Sequence, residues 1–261
     1  MAGSRRFART IDVEGGSGHH SAMTDERFQV TAGKPLVVGS FGGADDLRAA
    51  DASGLSGVCD IAEIRLDLLA AASGGAEPAP WRHLRGMIPL LFTARSPEEG
   101  GARALTDAGR VEMLEDVLDD AACIDIEVAS LAGMAGLVRE LAARRLPWIA
   151  SFHDFETLPE TKALEDAAGS ALAAGAAAFK VAARVHGPAD LARLADFQLA
   201  DHGLPTATMG MGPLAPVSRL LCAQCGSVLN YGFIGSTPTA PGQWDAALLK
   251  LAVSRLEPFR L

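Results

Sequence analysis

The 261-residue chain carries 49% apolar but only 5% aromatic side chains, and its 23 basic against 32 acidic residues leave a formal charge of −9. That apolar content excludes disorder throughout and allows one large core, built mainly from Ala, Leu, Val and Ile. The acidic balance repels phosphate backbones, no basic stripe alternates with aromatics, and no run of about 18–20 uncharged apolar residues offers a membrane span.

Residues 1–34 are polar and rich in Gly, Ser, His and charge. They read as a flexible N-terminal extension ahead of a single domain over 35–261. The N-terminal arginines lack a following apolar run, so no secretory leader is expected. His19 and His20 are too few to make a metal tract.

From there the pattern repeats. The sequence predicts strands at Leu36–Ser40, Ile61–Leu66 and Ile88–Thr93, and then a helix over 106–122 with Thr106 as its cap. A strand at Cys123–Glu127 precedes a helix over 130–145, which opens on Ser130 and closes on Arg144 and Arg145. The strand Pro147–Phe152 leads to a Pro-started helix over 159–175, and Ala177–Val181 to a helix over 187–203. Pro205–Met209 is followed by a short helix over 216–226, and Leu229–Ile234 by a last one over 241–256. Strands alternating with helices in eight units predict an α/β fold, the (β/α)8 barrel. An open doubly wound sheet is the runner-up. No GxGxxG follows the first strand and there is no P-loop, which disfavours it.

In a barrel, chemistry gathers where strands end. Glu63, Arg65 and Asp67 alternate in the second strand, which places them on one face. Inside a barrel such charges must pair with each other or hold a ligand. Arg95 closes the third strand, followed by Glu98, Glu99 and the turn-forming Gly100 and Gly101. His153 follows the apolar fifth strand, where an imidazole suits proton transfer; Asp154 or a carbonyl could equally hold it for structure. Lys180 lies between Phe179 and Val181 in a buried-type strand, whereas Lys34, Lys162 and Lys250 fit tail or surface settings. Burial and a neighbouring cation lower a lysine's pKa and supply the neutral amine that attacks a ketone. Arg219 follows the seventh strand and suits a carboxylate, while Thr239 and Gln243 offer neutral hydrogen bonds in a shaped loop after the eighth.

The four cysteines suit a reducing cytoplasm. Cys59 and Cys123 read as core residues, and the pair Cys222 and Cys225 as helix packing in preference to half of a metal site.

The motifs EIRLD, LLFTARSPEEGG, SFHDF with its following TLP, FKVA, the MG…VSRL segment and TAPGQ occur in order after successive strands. Together they resemble the type I 3-dehydroquinate dehydratases, the Schiff-base class of the shikimate pathway, over about Pro35 to Leu256. The resemblance implies a barrel without metal or organic cofactor that forms a homodimer and acts on 3-dehydroquinate. It implies syn elimination of water to 3-dehydroshikimate, with Lys180 forming an imine at the C3 ketone. His153 would remove a C2 proton and help the C1 hydroxyl depart, with Glu99 positioning and tuning it. Glu63, Arg65 and Arg95 match residues that hold the ring hydroxyls, and Arg219 and Gln243 match the carboxylate-binding pair. Thr239 stands where the family often has Ser, and Ser40 in preference to Gly39 is expected to be the pocket serine. Two other readings fit parts of the pattern: another class I Schiff-base aldolase or lyase barrel, and a barrel that binds ligand without a covalent step.

Overall fold

The computed structural model describes residues 29–31, 33–73, 79–102 and 105–257; most of the expected N-terminal extension lies outside them. Eight strands form one parallel sheet: β1 (Leu36–Phe41), β2 (Ile61–Arg65), β3 (Leu90–Thr93), β4 (Cys123–Glu127), β5 (Trp148–Asp154), β6 (Ala178–Arg184), β7 (Thr206–Met211) and β8 (Leu229–Ile234). β1 to β6 each pair with the next strand in sequence, and β8 pairs with β1, giving the order β7-β6-β5-β4-β3-β2-β1-β8. The seam between β7 and β8 is stitched by Val228 N donating to Thr206 O at 3.1 Å and Thr208 N donating to Ser227 Oγ at 3.2 Å. The result is a nearly closed (β/α)8 barrel, as the alternating pattern predicts.

Helices cover the outside: α1 (Ala44–Ala49), α2 (Leu55–Val58), α3 (Leu66–Ser73), α4 (Asp107–Glu115), α5 (Ala135–Arg144), α6 (Thr161–Ala173), α7 (Pro188–Leu199), α8 (Ala215–Gln224) and α9 (Ala246–Val253). Thr106 caps α4 as expected, its hydroxyl accepting from Gly109 N at 3.2 Å. Other boundaries shift for physical reasons. Ser130 does not start α5; it is buried in a tight turn and accepts from Arg110 Nη1 at 2.9 Å. The last helix starts at Ala246, not Pro241, because the carboxylate of Asp245 takes the free amides of Ala247 and Leu248. Asp67 leaves the strand altogether: β2 ends at Arg65, and Asp67 sits in the first turn of α3, where both its oxygens accept from the Arg65 guanidinium. Lys250 is no loose surface lysine. Its ammonium donates to the carbonyls of Ser56 and Cys59 and to Asp60 Oδ1, tying α9 to the barrel floor.

Strand alternation sends one set of side chains to the helices and the other into the barrel. The registers sort the inward set into layers of four from alternate strands. Ile61, Cys123, Ala178 and Leu229 make one apolar layer, and Val38, Leu91, Ile149 and Ala207 the next, all of them buried together. Val30 packs against this plug. Above it the chemistry changes abruptly. The next layer is Glu63, Asp125, Lys180 and Tyr231, followed by Ser40, Thr93, Ser151 and Met209. The floor is therefore apolar and buried, and polar groups begin halfway up the strands.

Candidate active site

Lys180 is 4% exposed, and its ammonium donates to Asp125 Oδ2 at 3.1 Å. Burial pushes the amine below its ordinary range; Asp125 opposes that shift and the Arg95 guanidinium reinforces it. The direction favours a neutral nucleophile, as expected of a strand lysine at this depth.

Asp125 was not singled out from the sequence, although it is the centre of the electrostatics. Burial works against its charge, but Arg95 and Lys180 hold the carboxyl well below the usual range. Arg95 Nη1 lies 2.9 Å from Asp125 Oδ1, 2.8 Å from Glu127 Oε1 and 2.7 Å from Ser151 Oγ. Glu127 is shared in turn with Arg110, which also donates to Ala94 O at 2.7 Å. Acids and cations thus alternate along a buried chain, which is how such charges survive out of water. Arg95 lines the pocket with its charge already matched by Asp125 and Glu127.

The turn after β3 delivers Glu99. Ser96 Oγ accepts from Glu99 N at 3.3 Å, Gly100 takes φ +85°, and Gly101 has no room for a side chain, since a Cβ there would lie 2.0 Å from Arg95 O. This fold-back carries Glu99 to β5, where Oε2 accepts from His153 N at 2.9 Å and lies 2.8 Å from His153 Nδ1. Asp154, the other candidate holder, instead accepts from the amides of Glu156 and Thr157. Burial pushes Glu99 up to about 7, with Arg95 pulling the other way. Burial, and then Arg95 and Lys180, hold the imidazole well below its ordinary value. A neutral ring bonded to Glu99 through Nδ1–H keeps a lone pair on Nε2, the form a general base requires.

The remaining candidates form the walls. Ser40 and Thr93 both donate to Glu63, the latter at 2.7 Å. Ser40, not Gly39, faces inward; a Cβ at Gly39 would strike Ile234 at 2.3 Å. Arg219 is 1% exposed on α8 and donates to the carbonyls of Tyr231, Gly210 and Ala215 at 3.0–3.2 Å. None of the described carboxylates pairs with it, and burial pushes its pKa down to about 10. Thr239 N and Oγ1 both donate to Gln243 Oε1, at 3.0 and 2.9 Å. With that oxygen taken twice, the Gln243 amide nitrogen is the end left to donate. An uncompensated guanidinium and an amide donor lining one pocket suit a carboxylate.

One pocket is lined by all ten expected residues: Ser40, Glu63, Arg65, Arg95, Glu99, His153, Lys180, Arg219, Thr239 and Gln243. It is also lined by Phe155, Met209, Met211 and Tyr231, which the sequence reading passed over. Asp125 had a signal: CIDIE alternates acids with isoleucines just as EIR alternates charges with an apolar residue. Cys222 and Cys225 lie away from this pocket as buried free thiols on and just after α8.

Comparison with known proteins agrees with the sequence motifs. The family model described as type I 3-dehydroquinase matches residues 44–257. A protein of Methanothrix thermoacetophila named 3-dehydroquinate dehydratase is 32% identical over 221 residues, spanning 84% of this chain and 91% of the relative. A catabolic 3-dehydroquinate dehydratase of Acinetobacter baylyi is 30% identical over 209 residues, 76% of each chain. The crystal structure of 3-dehydroquinate dehydratase from Geobacillus kaustophilus superposes with a TM-score of 0.74 at 27% identity, covering 85% of this chain and 90% of that one.

Proposed function

The chain belongs to the type I 3-dehydroquinase family, and from that membership we propose that it dehydrates 3-dehydroquinate through an imine on Lys180. The observation that carries the reading is a buried amine and a Glu99-held imidazole lining one pocket.

The neutral Lys180 nitrogen attacks the C3 carbonyl carbon, and loss of that oxygen as water leaves a protonated imine. His153 Nε2 then takes the C2 proton, the C–H electrons form a C2=C3 bond, and the C=N π pair moves onto nitrogen, giving the enamine. The enamine returns its electrons as the C1–O bond breaks, and the proton on His153 leaves with the hydroxyl as water. Hydrolysis of the conjugated imine releases 3-dehydroshikimate and frees the amine, for a net loss of one water. Arg219 and Gln243 hold the substrate carboxylate, and its charge compensates the guanidinium that the protein leaves unpaired. Glu63, Arg65 and Arg95 meet the ring hydroxyls, while Ser40 and Thr93 hold the Glu63 carboxylate in place.

Borohydride reduction in the presence of 3-dehydroquinate, read by intact mass and peptide mapping, tests this. A reduced adduct on Lys180 is expected, and Lys180→Ala should show neither adduct nor turnover. An unmodified lysine under turnover conditions rejects the mechanism. A class I aldolase barrel would share the lysine but not the Glu99–His153 partnership beside Arg219; appearance of the conjugated enone absorbance separates the two.

Two further features of this reading rest on surface and composition. A homodimer through α8 and α9 is supported by the exposed apolar side chains Val217, Leu248 and Leu251 on those helices. A reducing cytoplasm is supported by the four buried free thiols. Among the described residues no helix is long and apolar enough to cross a membrane.

A further inference from the structure

Tyr231 stands in the same barrel layer as Lys180, Glu63 and Asp125, yet the mechanism above gives it nothing to do. It lies on β8 with 4% exposure and lines the pocket. The Lys180 nitrogen sits over its ring, 4.2 Å from the centroid. Among the described residues its buried hydroxyl has no hydrogen-bond partner. A phenol kept inside a barrel at that cost is expected to serve through its ring, through its oxygen, or through both.

We propose that the face of Tyr231 is an electrostatic platform for the reacting nitrogen, favouring its charged forms from ammonium through protonated imine. This rests on the Schiff-base reading of Lys180. The physical need arises from a change in the nitrogen's hydrogen count. An ammonium has three N–H donors, but the protonated imine has one. Asp125, at 3.1 Å, can keep at most that single bond. A ring face attracts positive charge without consuming a donor, so its contribution survives when the hydrogens are lost. It also leaves the imine plane free to conjugate, which the electron sink requires.

The groups facing the nitrogen are Asp125 from β4, Glu63 from β2, Arg95 from the end of β3, His153 from β5 and Tyr231 from β8. Facing β7 residues such as Ala207 and Met209 carry no charge. Asp125 and Glu63 favour the ammonium, while burial and Arg95 disfavour it. The ring adds to the favouring side without introducing another acid. The hydroxyl stays protonated, because burial and then Glu63 and Asp125 push its pKa well up. It therefore adds no competing negative charge beneath the imine.

The sign of the effect is specific. Removing the ring disfavours the ammonium, so more free amine is present at low pH. The acid limb of imine formation should move down in Tyr231→Leu by about half to one and a half pH units, from the usual strength of such contacts. Turnover should nevertheless fall, by about 2- to 30-fold, because the charged imine loses its support. Tyr231→Phe keeps the face and should restore both the limb and most of the rate. Mono-, di- and trifluorophenylalanine at position 231 keep the shape while draining the ring's negative face; turnover should fall in step with fluorine number. A flat fluorine series, or Phe failing as badly as Leu, overturns the platform. Borohydride trapping of the unsubstituted protein is run alongside: no adduct on Lys180 rejects the imine itself, whereas a normal adduct with a flat series rejects only the role given to Tyr231.

Discussion

Replacing Glu99 with Gln sets the cost of a working active site against the stability of the fold. In an unfolded chain the carboxyl titrates near 4.5; burial in the turn after β3 raises it to about 7. Between those values the folded state binds more protons than the unfolded one, so stability from this group falls as pH rises. The favourable contribution is complete below the lower value and gone above the upper. At about 1.4 kcal/mol per pH unit, an ionised Glu99 at pH 8 costs the fold about 3 kcal/mol. Glu99→Gln keeps a carbonyl oxygen for His153 N but carries no charge. It should be about 1–3 kcal/mol more stable than the parent at pH 8, with little difference at pH 4.5. Urea unfolding of both proteins at several pH values gives the difference directly, because other titrating groups cancel. Turnover should fall about 10- to 100-fold, since an amide tunes the imidazole less than a carboxylate does. A stability difference that does not grow with pH, or that favours the parent at pH 8, refutes the reasoning about burial.

Three other substitutions separate the remaining roles. His153→Ala should still form the borohydride-trappable imine, slowly, while dehydration falls about 10²- to 10⁴-fold; unimpaired dehydration in single-turnover assays would remove His153 from the chemistry. Arg219→Met should raise KM for 3-dehydroquinate at least about 30-fold, from loss of a charged carboxylate contact, with turnover less affected; an unchanged KM would show that the carboxylate binds elsewhere. Arg110→Met leaves Glu127 with Arg95 as its one remaining cationic partner among the described residues. Unfolding should become easier by about 3 kcal/mol, measured in urea, and KM should stay within a few-fold of the parent.

The architecture was legible because strands and helices impose different spacings on apolar residues. CIDIE and LNYGFI become β4 and β8 with the boundaries that alternation predicts. A boundary failed where a side chain had a tertiary use: Ser130 looked like a cap and instead holds Arg110. Lys180 was conspicuous because a lysine in an apolar strand demands a reason. Asp125 was just as deep and was passed over, since an acid among isoleucines looks ordinary until the registers place it beside that lysine.

Residue order alone thus determined the eight repeating units, the phase at which polar side chains appear, and ten of the residues that line the pocket. Tertiary structure alone decided which charges neutralise each other: Arg95 is matched by Asp125 and Glu127, Arg110 by Glu127, and Arg219 by no described carboxylate. It also decided that an aromatic face lies against the Lys180 nitrogen. The division has a physical cause. Periodicity is a property of one strand or helix and its two faces, whereas ion pairing and burial depend on distances across the barrel between strands far apart in the chain.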